Sequence, residues 1–286
     1  MATNQELINS INENISRLYN NSLGDGGNLL FNPDFKINQR GLSEYTGDWS
    51  YGVDRWISFS CNVNTLDNGI SLTKHDSPTY FSILQRLNDT PIKPGNIALS
   101  FSINNTVYTY TGVLTEGGSV TLQFDNLRFE VHEKFVQFYF IGIDNIVLNW
   151  VKVEYGSAVT PFVAPDTATE LVKCKRYFER LAFNDAWSGN ITGYQWGAAT
   201  PVNMVAYTIP YQTKRIVPTI NLSPNTGRFC CCRPTSTVCG LGEINRYPFI
   251  AVDHCAVEQY LQTSTPEVTS GWIDAIGNVD IDAEIY

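Results

Sequence analysis

The sequence has few charged residues, and only a minority of those are basic. Asp, Glu, Lys and Arg make up 16% of its 286 residues, and 19 basic residues stand against 28 acidic ones, so the formal net charge is −9. Binding to DNA or RNA depends on an excess of cations that displaces counterions from the phosphates. We therefore expect no nucleic-acid partner.

Long apolar runs are also missing. No stretch reaches the 18 or so consecutive apolar residues that a membrane-spanning helix needs. The first residues lack the basic and then apolar pattern of a secretory signal. We therefore expect no membrane insertion, and we expect the chain to fold in a cytoplasm.

Motifs of catalysis are absent as well. The chain has three histidines and no nucleophile elbow, phosphate-binding loop, dinucleotide fingerprint or H-E-x-x-H motif. Carboxylates are plentiful, but their number alone does not indicate a glycosidase. The sequence therefore predicts a protein that is not an enzyme and has no cofactor.

The cysteines do not have the spacing of a zinc site. Cys230, Cys231 and Cys232 are consecutive, and Cys239, His254 and Cys255 follow. Successive residues of a strand point to opposite faces, so three in a row cannot all bind one ion. The C-x2-C pairs of structural zinc sites are missing. We predict no metal and buried free thiols.

Aromatic residues are abundant, at 13% of the chain, which is typical of β-rich proteins. Four apolar segments predict strands, and they cover residues 97–103, 120–124, 135–141 and 146–153. Turn signals such as Asn68-Gly69 and Glu116-Gly-Gly118 separate the predicted strands. We predict a mostly β chain whose residues 25–165 form a β-sandwich jelly roll.

The N-terminal residues 1–24 predict a helical stub. Its apolar residues recur at intervals of three and four, as in a coiled-coil seam, and they are Ile8, Ile11, Ile15 and Leu18. Isoleucine at both seam positions favours a coiled coil of three or four helices. Either the segment forms a trimer and attaches the protein, or it is a single amphipathic helix that lies on its own domain.

A second helix is predicted over residues 166–182, as a link between two domains. Asp166 or Thr167 would cap its start, and Glu170 would complete a capping box with Thr167. Its apolar stripe consists of Leu171, Cys174, Tyr177, Phe178 and Leu181.

Residues 183–286 predict a smaller C-terminal β domain. Residues 216–222 read as a strand, and Pro218 favours an edge position for it. Residues 279–285 alternate apolar residues with Asp280, Asp282 and Glu284. These carboxylates predict either a calcium site or a solvated face that protects an edge strand.

Several motifs resemble the jelly-roll modules of bacteriophage tail fibres and related virion proteins. In chain order they are Asn28–Phe35, Gln39–Gly41, Tyr51–Trp56, Val151–Phe162 and Cys174–Phe178. The C-terminal region also resembles the small β domain that follows this module, although Lys214 stands where methionine is expected. Independently of the resemblance, we expect Trp56 to be buried. Arg40 or Arg55 would then pair with Asp34 or Asp54 beneath it.

The resemblance implies a structural fibre protein of a bacteriophage particle. Such a protein is assembled in the host bacterial cytoplasm and is located in the virion. It would be a homotrimer whose N-terminal segment docks to other virion proteins. Its jelly roll would form the shaft or shoulder of the fibre. Its C-terminal β domain would act in receptor binding and host attachment by contacting host cell-surface glycans. The alternatives are a head fibre or decoration protein with a mainly structural role, and the carbohydrate-binding module of an enzyme.

Jelly rolls of this kind resemble carbohydrate-binding modules, which recognise sugars through exposed aromatic rings and nearby amides. One Gly-rich segment carries such a set, namely Trp187, Asn190, Tyr194, Gln195 and Trp196. These residues either bind a glycan or form the core or a subunit interface of the C-terminal domain.

Overall fold

The computed structural model describes residues 27–76, 78–183, 188–192, 202–231, 238–265 and 270–284. Two compact units divide the chain between Cys174 and Lys175. The predicted N-terminal helix, with Ile8, Ile11, Ile15 and Leu18, lies outside the described residues. Across the ranges given, the chain is mostly β, with antiparallel sheets and one helix. That helix is too short to span a membrane.

The first unit contains twelve strands. In chain order they are β1 (Glu44–Tyr45), β2 (Ser50–Tyr51), β3 (Ile57–Phe59), β4 (Cys61–Leu66), β5 (Gly69–Lys74), β6 (Tyr80–Arg86), β7 (Gly95–Ile103), β8 (Thr106–Leu114), β9 (Ser119–Gln123), β10 (Leu127–His132), β11 (Phe135–Ile141) and β12 (Asn145–Tyr155). The four predicted strands are confirmed as β7, β9, β11 and β12. The turn signals at Asn68-Gly69 and Glu116-Gly-Gly118 also separate strands.

These strands form two six-stranded antiparallel sheets. Sheet 1 has the order β1-β4-β5-β12-β7-β8, and sheet 2 has the order β2-β3-β6-β11-β10-β9. One cluster of buried side chains draws on both sheets. The ring centroids of Phe101 in sheet 1 and Phe138 in sheet 2 are 5.1 Å apart. The two sheets therefore face each other across a shared apolar core.

The motif residues near the start of the first unit are structural. Trp56 is buried and donates a hydrogen bond from its indole Nε1 to the Asn32 carbonyl at 2.9 Å. Of the predicted pairs, Arg40 and Asp54 lie 3.8 Å apart. Asp34 pairs instead with Lys36, at 3.2 Å. Arg55 is also buried, and it donates to the backbone carbonyl of Arg86 at 2.7 Å.

The one described helix, α1, runs from Thr167 to Lys175. Asp166 caps its start, because its carboxylate accepts a hydrogen bond from the Thr169 N–H at 2.8 Å. The predicted capping box is wrong. Glu170 is buried, and its carboxylate accepts from the Asn32 N–H at 2.7 Å instead.

The predicted extent of this helix, residues 166–182, is also wrong. Tyr177 lies beyond the helix, and Phe178 and Leu181 belong to the next strand. Phe178 pairs with Asp282 in an antiparallel ladder that continues to Phe183. The segment that carries the apolar stripe is thus helical up to Lys175 and extended from Phe178 onward. Strand pairing with distant residues prevails there over the local helical pattern.

The second unit is built on one sheet. Its strands are β13 (Phe178–Phe183), β14 (Ser188–Thr192), β15 (Val202–Pro210), β16 (Thr219–Cys231), β17 (Val238–Ile250), β18 (His254–Thr265) and β19 (Ser270–Asp282). Their order is β13-β19-β14-β15-β18-β17-β16, and β19 also pairs with β16. The described core of this unit includes Ile209, Tyr211, Ile220, Cys255, Val279 and Ile281.

The edge-strand prediction for residues 279–285 is wrong, because residues 279–282 of β19 pair with β13 on one side and with β16 on the other. β16 begins at Thr219, directly after Pro218, and residues 219–223 pair with β19. The described ladder between β16 and β17 covers only residues 228–230, so it does not contradict an edge position for residues 219–222. The predicted alternation is confirmed at Val279, Ile281 and Ala283, which are buried.

The carboxylates of Asp280 and Asp282 on β19 and of Glu284 just beyond it do not form a solvated row. Both oxygens of Asp280 accept hydrogen bonds from Arg180 at 2.6 Å, and Glu284 is buried. Within the part of the chain that the structure describes, no group of three or more His, Cys, Asp or Glu residues is arranged to hold a metal ion.

Candidate functional site

The sequence-predicted glycan cluster lies almost wholly outside the described residues. Trp187, Tyr194, Gln195 and Trp196 belong to segments that the structure does not describe. Asn190 lies on β14, of which only the backbone is described. This cluster stays a prediction.

The cysteine cluster is described in part. Cys230 and Cys231 lie on β16 and Cys239 lies on β17, where Phe229 is the register partner of Cys239. Cys232 is outside the described residues. Cys255 is buried and forms no disulfide, which confirms the free-thiol prediction for this residue. Burial raises the pKa of its thiol to about 11, so the thiol is not in its reactive thiolate form at neutral pH.

The outward face of sheet 2 carries a continuous row of aromatic rings that crosses three strands. The aromatic row consists of Trp49, Phe59, Tyr80 and Tyr139. Successive ring centroids are separated by 4.7, 5.7 and 6.1 Å. Trp49 is 52% exposed and Tyr80 is 37% exposed. Apolar ring surface is therefore exposed to solvent along a line that runs from the turn at Trp49 across β3 and β6 toward β11.

Strand alternation explains why these rings point outward. In β11, Phe138 and Phe140 are buried in the core, and Tyr139 between them points to the opposite face. In β6, Tyr80 precedes the buried Phe81 in the same way. Ser82 is the register partner of both Phe59 and Tyr139, and it is fully buried. Its small side chain lies between the strands that carry the two rings.

Trp49 reaches the row from a strained turn. Its φ angle is 53°, in the left-handed region that a bulky residue rarely adopts. Two hydrogen bonds hold the turn: the Trp49 N–H donates to the Ser58 carbonyl at 2.8 Å, and the Ser60 N–H donates to the Asp48 carboxylate at 2.6 Å. Strain of this kind is concentrated at functional sites. A strained tryptophan that remains half exposed is consistent with a binding role.

Polar groups continue the row beyond Tyr139. The guanidinium carbon of Arg128 lies 5.3 Å from the centre of the Tyr139 ring. Arg128 also donates to the Glu130 carboxylate at 2.7 Å, and the Ser119 hydroxyl donates to the other oxygen of Glu130 at 2.8 Å. Arginine and glutamate balance each other, so this end of the row has no net charge.

The tyrosine at this end acts as a neutral hydrogen-bonding group. Burial and the nearby Glu130 carboxylate raise the pKa of Tyr139 above its usual 10.0. The hydroxyl therefore stays protonated at neutral pH, and it donates to the Gln137 side-chain oxygen at 2.8 Å. Gln137 in turn donates to the Ser82 hydroxyl at 3.1 Å. This network fixes the orientation of the Tyr139 hydroxyl.

The site combines flat apolar surface with oriented polar groups, and such a site suits a ligand that has both C–H faces and hydroxyl groups. Apolar periodicity in the sequence does not single out these residues, although β6 and β11 carry a signal. In each strand a tyrosine at an outward position, Tyr80 or Tyr139, directly precedes a phenylalanine that is buried in the core. Trp49 gave no periodic signal, because it lies in a turn.

Comparison with known proteins adds no functional assignment. No protein-family model matches the chain, and no curated protein matches it. The function must therefore be argued from the residues themselves, and the resemblance to bacteriophage fibre modules remains a prediction from the sequence motifs.

Proposed function

We propose that this chain is a fibre protein of a bacteriophage particle and that its first unit binds host surface glycans through the aromatic row. Two six-stranded antiparallel sheets around one core support the jelly-roll assignment. The motifs at Asn28–Phe35 and Val151–Phe162 support the assignment to a virion.

The aromatic row is the observation that carries the glycan proposal. A soluble domain normally covers large apolar rings, and contiguous exposed ones mark binding surfaces. Trp49 and Tyr80 offer flat faces against which the C–H surface of a sugar packs. Arg128 and Glu130 offer a donor and an acceptor for its hydroxyl groups.

Charge indicates which glycan the row selects. Arg128 is paired with Glu130, and the whole chain has a net charge of −9. A polyanionic polysaccharide would be repelled by this excess of acid. A neutral hexose chain carries no such penalty, so neutral glycans are the expected ligands.

A glycan array tests this proposal. The full chain should bind neutral oligosaccharides, and Tyr80→Ala should weaken binding about tenfold or more, because buried aromatic contacts dominate such interfaces. The matched control is Tyr110→Ala, since Tyr110 on β8 is 38% exposed but lies on sheet 1. Equal loss in both variants, or no binding by the wild-type chain, would contradict the proposal.

The sequence-predicted glycan cluster, which includes Trp196, provides a second and separate arm of the binding experiment. Trp196→Ala should leave binding by the aromatic row unchanged if the first unit carries the site. If Trp196→Ala abolishes the array signal and Tyr80→Ala does not, the glycan site lies in the C-terminal domain, as the sequence alone predicted.

A further inference from the structure

A second concave site lies on sheet 1, away from the aromatic row. It is a cleft of about 410 Å³, which is in the size range of small-molecule sites. Its lining includes Asp34, Lys36, Asp67, Asn105, Trp150 and Phe162. All of these residues belong to the first unit.

The cleft is organised by an irregularity in β12. The pairing of β12 with β7 shifts register between Leu148 and Trp150, which leaves Asn149 in a bulge. The Asn149 side-chain oxygen accepts hydrogen bonds from the Asn105 N–H at 3.0 Å and the Ser102 hydroxyl at 3.1 Å. Its amide group donates to the Asn68 carbonyl at 2.9 Å. One buried side chain thus fixes the two turns that border the cleft.

Two stacked rings form the apolar wall of the cleft. The centroids of Trp150 and Phe162 are 4.4 Å apart, and the ring planes differ by only 7°. The segment that carries Phe162 is held by side chains of β12. The Thr160 N–H donates to the Glu154 carboxylate at 2.7 Å, and the buried Lys152 ammonium donates to the Pro161 carbonyl at 3.2 Å. The wall is therefore held in place before any ligand binds.

The polar groups of the cleft select a neutral ligand. Asp34 is mostly buried and pairs with Lys36 at 3.2 Å, so these two charges offset each other. Asp67 adds a carboxylate that is exposed to solvent. Carboxylates and amides accept hydrogen bonds from hydroxyl groups, whereas the excess of one carboxylate disfavours an anion.

We propose that this cleft is a second sugar-binding site, which takes one or two rings of a neutral saccharide. Trp150 and Phe162 provide the apolar wall, and Asp67 and Asn105 bind hydroxyl groups. The inference does not depend on the aromatic row, because the two sites lie on different sheets and share no residue.

Ligand-detected NMR with the full chain tests the proposal, with a panel of neutral monosaccharides and disaccharides as probes. At least one probe should bind with an affinity near the millimolar range. Trp150→Ala should abolish the signal. Asp67→Asn should weaken binding several-fold, and it changes an exposed residue without removing packing. The matched control is Asp125→Asn, which alters another exposed aspartate of the first unit, outside the cleft.

The outcomes separate this site from the aromatic row. Tyr80→Ala should leave binding in the cleft unchanged. The proposal is overturned if no neutral saccharide binds, if binding does not depend on Asp67 and Trp150, or if glucuronate or inorganic phosphate binds in preference to neutral sugars.

Discussion

Lys214 places an ammonium group inside the second unit, with no side-chain surface exposed. It donates to the Glu179 carboxylate at 2.7 Å and to the Lys175 carbonyl at 2.5 Å. Glu179 also accepts from the Gln212 N–H at 3.0 Å. Two buried charges are tolerated here because each is paired and hydrogen-bonded.

Replacing Lys214 by methionine, the residue expected from the sequence resemblance, should therefore destabilise this protein. Lys214→Met leaves Glu179 buried without its main partner, which should cost about 3 kcal/mol of unfolding free energy. Urea denaturation measures the loss. The double variant Lys214→Met/Glu179→Gln should regain most of the stability, because no unpaired charge remains. A double variant no more stable than Lys214→Met would contradict this account of the pair.

The same pair should make stability depend on pH. Burial acts to raise the pKa of Glu179, but the hydrogen bond and charge of Lys214, together with hydrogen bonds from the Gln212 N–H and Lys175, outweigh it, so the pKa is lowered from its usual 4.5. A lowered carboxyl pKa contributes stability that is present above the unfolded value and is lost as the pH falls through the folded value. The melting temperature of the wild-type chain should thus fall more steeply below about pH 4.5 than that of Glu179→Gln. If the melting temperatures of the two proteins fall equally steeply with pH, the lowered pKa of Glu179 is contradicted.

At the scale of elements, the β4–β5 hairpin depends on Gly69. Its φ angle is 129°, which only glycine adopts readily. A Cβ atom there would lie 2.6 Å from the Cα of Asn149 and would also clash with the Leu148 carbonyl oxygen. The bulge of β12 and this glycine therefore fit each other closely.

Gly69→Ala should cost at least about 3 kcal/mol of stability, because backbone strain and a backbone clash act together. The matched control is Gly117→Ala. Gly117 also has a positive φ, 66°, but nothing lies within 4 Å of its added Cβ. Gly117→Ala should cost only about 1–2 kcal/mol of stability. Thermal unfolding of both variants measures the difference. Equal losses of stability would contradict the prediction, because they would show that the clash at Gly69 is relieved without cost.

Elements were predictable where local pattern and long-range pairing agree. β11 spans the residues that its apolar pattern indicated, because both of its edges pair with neighbouring strands. The predicted helix is too long, because the apolar stripe continues through Tyr177 and Phe178, whereas the helix ends at Lys175 and β13 begins at Phe178. The partner that causes this change, β19, is about a hundred residues away in the sequence and gives no local signal.

At the scale of the whole molecule, composition was enough to predict a mostly β chain. It could not predict the candidate site, because the aromatic row joins a turn at Trp49 to strands that start at Ile57, Tyr80 and Phe135. Those rings meet only through the order of sheet 2. The cleft on sheet 1 depends in the same way on the bulge at Asn149, which sequence periodicity does not reveal.

Oligomeric state is a further prediction at this scale. The seam of Ile8, Ile11, Ile15 and Leu18 predicts a trimer, which sedimentation velocity measures directly. Deletion of residues 1–22 should weaken the trimer. Three weak glycan sites held together would then bind a cell surface several orders of magnitude more tightly than one. A monomer at micromolar concentration would contradict this prediction.

If the chain belongs to a bacteriophage particle and presents the aromatic row to the host, it must be found on the particle surface. Electron microscopy of intact particles, with gold-labelled antibodies against the first unit, can locate it there. We expect label on projections at the particle surface, and reduced labelling when the particles are first coated with host envelope glycan. Particles without label, made in cells that express the chain, would contradict it.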